Sequence, residues 1–273
     1  MPKKTLIVSD VHQRCAVVDK IIAARIDEVD EVVFLGDWFD SHFTPPLVQS
    51  FDETCDYLKH LILDHPQRHK FVFLIGNHDL SYIYENIGSS RSHISKTLYY
   101  FCSGFTPTKA KKFRKHFFDC GLKDEFFFRY FKPVHRTQGF TLSHAGLNIR
   151  IFPYGYTLDR IVNETLPDVW LNFRNLSYAH NYLLSAAGIC RGGSSPVGGI
   201  IWQDWNYEFA TITELGKQIV GHTRLRGEPD CLELGTSVES WNFDTENRHY
   251  GIITDGIVTV YPVNPVTNTQ QDS

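Results

Sequence analysis

Phe73-Leu74-Ile75-Gly76-Asn77-His78-Asp79 is the stretch on which the reading of the whole chain turns. Residues 71–75 are short, apolar and rich in β-formers, the mark of a strand buried on both faces, and Gly76 lets the backbone bend sharply where the strand ends. Asn77, His78 and Asp79 are therefore expected at the edge of a sheet, on a stiff support. The same grammar occurs upstream in Leu6-Ile7-Val8-Ser9-Asp10-Val11-His12 and in Val32-Val33-Phe34-Leu35-Gly36-Asp37-Trp38-Phe39-Asp40. Strand ends thus carry Asp10, His12, Asp37, Asp40, Asn77 and His78 to one rim.

Between these strands the pattern is helical. Val17, Val18, Ile21 and Ile22 share one face of a helix over residues 14–26, and Leu47, Phe51, Cys55, Leu58 and Ile62 form one stripe over residues 46–64. Strand, helix, strand, helix, strand predicts an α/β fold with a parallel sheet, whose ligands bind beyond the carboxyl ends of the strands. The pattern loosens over residues 80–122, which read as an insertion or cap. Inside it a helix over 108–120 turns Ala110, Phe113, Phe117 and Cys120 inward and Lys109, Lys111, Lys112, Arg114 and Lys115 outward. That charge run is either a solvated face or a guide for phosphorylated or nucleic-acid substrates.

Downstream, residues 125–132 and 140–143 read as strands, 158–166 and 178–187 as helices, and 191–199 as a glycine-rich loop. Residues 218–221 form a buried strand ending at His222, and strands over 250–254 and 257–261 make a hairpin about Asp255-Gly256. No repeat or low-complexity linker divides the chain, so we expect a single domain over 1–263 and a polar, disordered tail over 264–273.

Composition sets outer limits. A chain of 273 residues with 42% hydrophobic content can bury a sizeable core, and a net charge of -4 with pI near 6.3 does not call for nucleic acid or an anionic membrane as partner. No apolar stretch reaches the roughly 20 residues a membrane-spanning helix needs. The six cysteines have neither zinc-finger nor redox spacing and read as reduced packing residues. Met1-Pro2-Lys3-Lys4 runs straight into the first strand, leaving no room for a signal peptide, and a cytoplasmic setting is expected.

With His144 in Ser143-His144-Ala145-Gly146, the rim offers carboxylate, imidazole and amide oxygen donors in Asp10, His12, Asp37, Asn77, His144 and His222. Such donors suit divalent ions, manganese foremost, with iron, zinc, nickel or cobalt as alternatives, and the carboxylate of Asp37 has two oxygens with which to bridge a pair. Two such ions about 3.5–4 Å apart are a standard device for in-line attack on phosphorus, and they make a shared water acidic enough to supply the nucleophile. His78 is then placed to protonate a leaving oxygen, and Asp40 to hold the imidazole.

Asp10-Val11-His12, Gly36-Asp37-Trp38-Phe39-Asp40, Gly76-Asn77-His78-Asp79, Ser143-His144-Ala145-Gly146 and Gly221-His222-Thr223, in this order, resemble the five-block signature of the calcineurin-like metallophosphoesterases. The resemblance spans residues 10–222 and implies a four-layer α/β/β/α sandwich of two mixed sheets flanked by helices, with a dinuclear centre. It implies that Asp10, His12 and Asp37 hold one metal and Asp37, Asn77, His144 and His222 the other. Arg224 stands where many members have a second histidine, Gly-His-x-His. The phosphoprotein phosphatase branch, which Gly-His-Thr resembles in its bacterial and phage-like members, also lacks that histidine. That branch, however, usually has Gly and Arg where Gln13 and Ser41 stand here. A phosphate clamp must come from elsewhere, with Arg191, at the mouth of the glycine-rich loop, and Arg224 as candidates. The reading is a phosphomonoester hydrolase of protein serine/threonine phosphatase type, acting on a phosphoprotein, nucleotide or small molecule. A dinucleoside-polyphosphate or nucleotide hydrolase is the alternative, ahead of a nuclease or a non-catalytic scaffold.

Overall fold

The computed structural model describes residues 2–43, 47–87, 102–173 and 178–263. Strands β1 (Lys4–Val8), β2 (Glu31–Phe34) and β3 (Phe71–Leu74) are joined through helices α1 (Cys15–Arg25) and α2 (Phe51–Lys59) and pair in parallel, as the apolar runs predict. Helix α2 starts later than its apolar stripe suggested. Ser50 and Glu53 form a reciprocal capping box there, which fixes the first turn. Its last turn widens over His60–Asp64, so the helical path still reaches residue 64. Pro46 and the tail over 264–273 lie outside the described residues.

Helix α3 (Asn77–Ile87) begins at Asn77 itself, so residues 80–87 continue a helix where the sequence pattern loosens. Thr106 caps α4 (Pro107–Phe117), which buries Ala110, Phe113 and Phe117 as expected. Cys120 is exposed, contrary to expectation, because the helix ends at Phe117 and carries Cys120 off the apolar face. Residues 125–132 are not a strand. They form helix α5 (Lys123–Tyr130) followed by the short strand β4 (Phe131–Lys132). The aromatic run 126–128 has strand-like composition, but its rings pack on α4: Phe127 lies 5.2 Å from Phe113 and Phe126 5.5 Å from Phe117. Tertiary packing overrides composition.

A second sheet follows: β5 (Val134–Thr137), β6 (Phe140–Ser143), β7 (Lys217–Val220), β8 (Asp230–Leu232) and β9 (Ser240–Asn242). The hairpin β10 (His249–Thr254) and β11 (Ile257–Pro262) returns to the first sheet. The first sheet has six strands in the order β11-β10-β1-β2-β3-β4, and the second has five, β5-β6-β7-β9-β8. Both mix parallel and antiparallel pairs. Strand alternation makes the layers: Ile7, Val33, Leu35, Leu74 and Ile253 of the first sheet meet Phe140, Leu142, Ile219 and Phe243 of the second. Leu6, Val8, Val32 and Phe34 turn the other way, onto Val18, Ile21, Phe51, Leu58 and Phe113 of the helices. Helix α6 (Leu158–Arg160) continues through a wide turn over Ile161–Thr165 into α7 (Leu166–Leu171), and that turn packs on β5. Helix α8 (Tyr178–Ser185) precedes the glycine-rich loop. Two mixed sheets between helices are the expected sandwich. No helix among the described residues is long and apolar enough to cross a membrane.

Candidate metal centre

The strand ends open onto one cleft of about 460 Å³. Just past them the backbone turns left-handed at non-glycine residues: φ is 43° at His12, 53° at Asp37, 62° at Asp40 and 66° at His222. Such conformations are uncommon outside glycine and concentrate at functional sites, where surrounding bonds hold them. Here the His12 N–H donates to the Asp37 carbonyl at 2.7 Å. The buried Asp79 carboxylate accepts the backbone N–H groups of Trp38 (2.8 Å), Asp37 (2.9 Å) and Gly76 (3.0 Å), stitching the ends of β2 and β3 together. Burial and the charge of Asp37 push the Asp79 carboxyl up to about 7. Glycine is required nearby: a Cβ on Gly76 would stand 2.2 Å from Asp37 Oδ1, and one on Gly221 2.0 Å from Asp10 Oδ2.

Hydrogen bonds fix which ring nitrogens face the cleft. His12 Nδ1 donates to the Phe39 carbonyl at 2.9 Å and His144 Nδ1 to the Leu35 carbonyl at 2.8 Å, which leaves Nε2 of each as the nitrogen facing the cleft. His144 Nε2 lies 2.9 Å from Asn77 Oδ1 and 3.3 Å from Asp37 Oδ2. His222 Nδ1 lies 2.9 Å from Asn77 Oδ1 and 3.2 Å from His144 Nε2. Asn77 Nδ2 donates to Cys102 Sγ at 3.0 Å, which turns the amide oxygen toward the histidines. Acceptor atoms crowded at such distances, away from water, fit a bound cation.

The electrostatics agree. Burial would raise the Asp37 carboxyl, yet the imidazoles of His144, His78 and His12 hold it well below the usual carboxylate range. Against the effect of its own burial, His144 is raised to about 9, chiefly by Asp37. Burial, with Arg191 and His144 close by, drives His222 well below the usual imidazole value and keeps it neutral, the form that ligates metal. The cluster calls for positive charge.

Among the described residues, two groups have the spacing to hold an ion: Asp37, His144 and His222, and His12, Asp37 and His78. Asp37 belongs to both. Of the two other expected ligands, Asn77 meets His144 and His222 through Oδ1, and Asp10 lines the same cleft, but its oxygens accept the His222 N–H at 2.8 Å and the Ser9 hydroxyl, and its nearest approach to His144 Nδ1 is 3.9 Å. The rings of His12 and His78 lie 5.1 Å apart. All six expected donors converge on one place.

His78 Nδ1 lies 3.0 Å from Asp40 Oδ2, the expected pair. Burial tends to raise the Asp40 carboxyl, but His78, Lys109 and Tyr82 together hold it below its ordinary value. Arg191 and Arg224 both line the cleft. Arg191 is anchored by Nε to Asp204 at 2.9 Å and by a guanidinium N–H to Thr223 at 2.5 Å, while Arg224 pairs with Glu246. Gln13 and Ser41, the departures from the family pattern, contact each other: the Ser41 N–H donates to Gln13 Oε1 at 3.1 Å.

Arg14, His42, Trp202, Asp244 and Glu246 also line the cleft and were not singled out from sequence. Asp244 had a usable signal. It follows Trp241-Asn242-Phe243 as Asp10 and Asp37 follow their apolar runs, and burial beside Asp10 pushes its carboxyl well above the usual value.

Solved structures share the fold. A cold-active protein-tyrosine phosphatase of the psychrophile Shewanella sp. aligns at a TM-score of 0.58 and 15% identity, over 97% of this chain and 81% of that one. A point mutant of a cold-active protein tyrosine phosphatase aligns at 0.61 and 15% identity, over the same shares. A protein serine/threonine phosphatase from Saccharomyces cerevisiae aligns at 0.50 and 13% identity, over 98% of this chain and 81% of its own. No curated protein sequence matches the chain. The family model for calcineurin-like phosphoesterases matches residues 3–223, which hold every expected ligand together with His78 and Asp40. The chain therefore belongs to the calcineurin-like phosphoesterases, metal-dependent hydrolases of phosphoester bonds.

Proposed function

We propose that the protein is a phosphomonoesterase of the protein serine/threonine phosphatase type with a centre of two divalent ions, manganese foremost. The observation that carries this is the position of Asp37, whose Oδ2 lies 3.3 Å from His144 Nε2 on one side and 3.7 Å from His12 Nε2 on the other. Asp10, His12 and Asp37 would hold one ion, and Asp37, Asn77, His144 and His222 the second. When bound, the ions supply polarisation of the phosphoryl oxygens and acidify a water for attack.

The chain's own side chains do the rest. Arg191 and Arg224 orient the phosphoryl group from the cleft wall with charged donors. His78 gives the proton of its Nε2 to the leaving oxygen, while Asp40 keeps Nδ1–H and with it the ring's orientation. A dinucleoside-polyphosphate or nucleotide hydrolase is the second reading. It is favoured by Arg14, which joins Arg191 and Arg224 on the cleft and offers more cationic groups than one phosphate needs. Nucleic acid is not favoured, because the basic helix α4 spends Lys109 on Asp40, Lys112 on Asp52 and Arg114 on Asp119. A cytoplasmic location is proposed from the cysteines: all six are free thiols.

The deciding experiment is a manganese-supplemented panel of phosphopeptides, dinucleoside tetraphosphate and single-stranded DNA. Phosphopeptide turnover leading by an order of magnitude supports the first reading. Tetraphosphate leading, read as nucleotide products, transfers the case to the second, and hydrolysis of neither phosphopeptide nor tetraphosphate defeats both.

A further inference from the structure

Lys109 was expected among the outward charges of α4, but its ammonium turns back into the wall of the active centre. Nζ donates to Asp40 Oδ1 at 2.7 Å and to the Gly104 carbonyl at 2.8 Å. The Tyr82 hydroxyl donates to the same Oδ1 at 2.6 Å. Oδ2 is left to face His78. Gly104 is fitted to this arrangement, since a Cβ there would stand 3.0 Å from Asp40 Cβ.

The physical need is plain. Asp40 is 1% exposed, and a buried carboxylate is costly unless it is paired and its lone pairs are satisfied. His78 reaches only Oδ2, so Oδ1 needs donors of its own. Lys109 and Tyr82 supply them, and two donors on Oδ1 fix the plane of the carboxylate.

We propose that Lys109 is a positioning residue for phosphoester hydrolysis: by occupying Asp40 Oδ1 it keeps Oδ2 on His78 Nδ1 and so keeps His78 Nε2 aimed at the leaving oxygen. This rests on the reading of His78 as the general acid. In that step water oxygen bonds to phosphorus, the bond from phosphorus to the leaving oxygen breaks, the Nε2 proton passes to that oxygen, and the proton shed by the water returns through solvent to Nε2. Lys109 keeps its own protons. Helix α4 is then part of the active centre.

The test compares wild type, Lys109→Met, Lys109→Arg and His78→Asn, each as the full chain with manganese, on p-nitrophenyl phosphate and phenyl phosphate. A good leaving group needs little help from an acid, and a poor one needs much. Lys109→Met is expected to lose about tenfold more kcat on phenyl phosphate than on p-nitrophenyl phosphate, a fraction of the full worth of a general acid, with KM and bound manganese unchanged. Lys109→Arg is expected to recover most of that loss. Equal losses on both substrates, a change confined to KM, or wild-type kinetics would each overturn the proposal. If Lys109→Met does not fold, Tyr82→Phe, which removes the other donor, is read by the same criterion. A His78→Asn enzyme with full turnover of phenyl phosphate would remove the acid assignment and Lys109 with it. A leaving-group-selective loss in His78→Asn that Lys109→Met lacks would remove Lys109 alone.

Discussion

Asp37 and His78 are adjacent in space and opposite in task, which makes them separable by substitution. The His78 backbone N–H donates to Asp37 Oδ1 at 2.9 Å, so the two are tied through the main chain while their side chains face different partners. His78→Asn keeps that main-chain bond and is expected to retain bound manganese while losing at least about 100-fold in kcat on phenyl phosphate. Metal analysis beside steady-state kinetics checks this, and unchanged turnover takes His78 out of the mechanism. Asp37→Asn removes the charge between His144 and His12 and is expected to lower both metals together, so two full equivalents in elemental analysis would contradict the shared carboxylate. These residues were legible because a charged or imidazole side chain that ends an apolar run is conspicuous. Asp244 obeys the same rule but follows a strand of three residues, Ser240–Asn242, too short to stand out. Lys109 was misread for a different reason: helical periodicity gives the face a Cα occupies, while a four-carbon stem decides where its ammonium goes.

Among the elements, α4 and α5 show where composition misleads. Phe113, Phe117, Phe126 and Phe127 are all buried and form one aromatic cluster, with Phe117 and Phe127 centroids 5.0 Å apart. That cluster decides that residues 123–130 are helical, and it seats β4 on the edge of the first sheet. Phe127→Ala is expected to cost about 3–5 kcal/mol in urea unfolding; a loss under about 1 kcal/mol would mean the cluster is not holding the two helices. The sheets themselves are latched at the start of β2. Glu31 pairs with His135 of β5 at 2.8 Å, and Gln138 donates to Thr5 at 2.9 Å and to the Ile253 carbonyl at 3.0 Å. Burial tends to raise the Glu31 carboxyl, but His135, Thr137 and Lys3 bring it down to about 2. A depressed carboxylate contributes stability that is complete above its unfolded value, about 4.3, and is lost as pH falls through the folded one. Wild type should therefore lose stability more steeply than Glu31→Gln between about pH 4.3 and 2, and parallel acid-denaturation curves would count against the latch. No sequence pattern announces such a pair, since its partners lie on different sheets.

At the scale of the whole molecule, the proposed metal centre is also a fastener. Asp10, Asp37 and Asn77 follow β1, β2 and β3 of the first sheet, whereas His144 and His222 follow β6 and β7 of the second. Cations held by both sets would cross-link the sheets at their carboxyl ends, as Glu31 and His135 do at the other. Ligand binding to the folded state alone stabilises by about 2.7 kcal/mol at a free concentration of 100 Kd. For a chain of this size that corresponds to a rise in Tm of about 5 °C. Metal-stripped protein is thus expected to melt lower by that amount and to recover on adding manganese. Asp37→Asn, which breaks the shared carboxylate, should show little of the recovery, while His78→Asn should show nearly all of it. Calorimetry reads all three proteins without reference to activity. Equal recoveries in Asp37→Asn and wild type would place the manganese elsewhere on the molecule and leave the strand ends without their assigned ions.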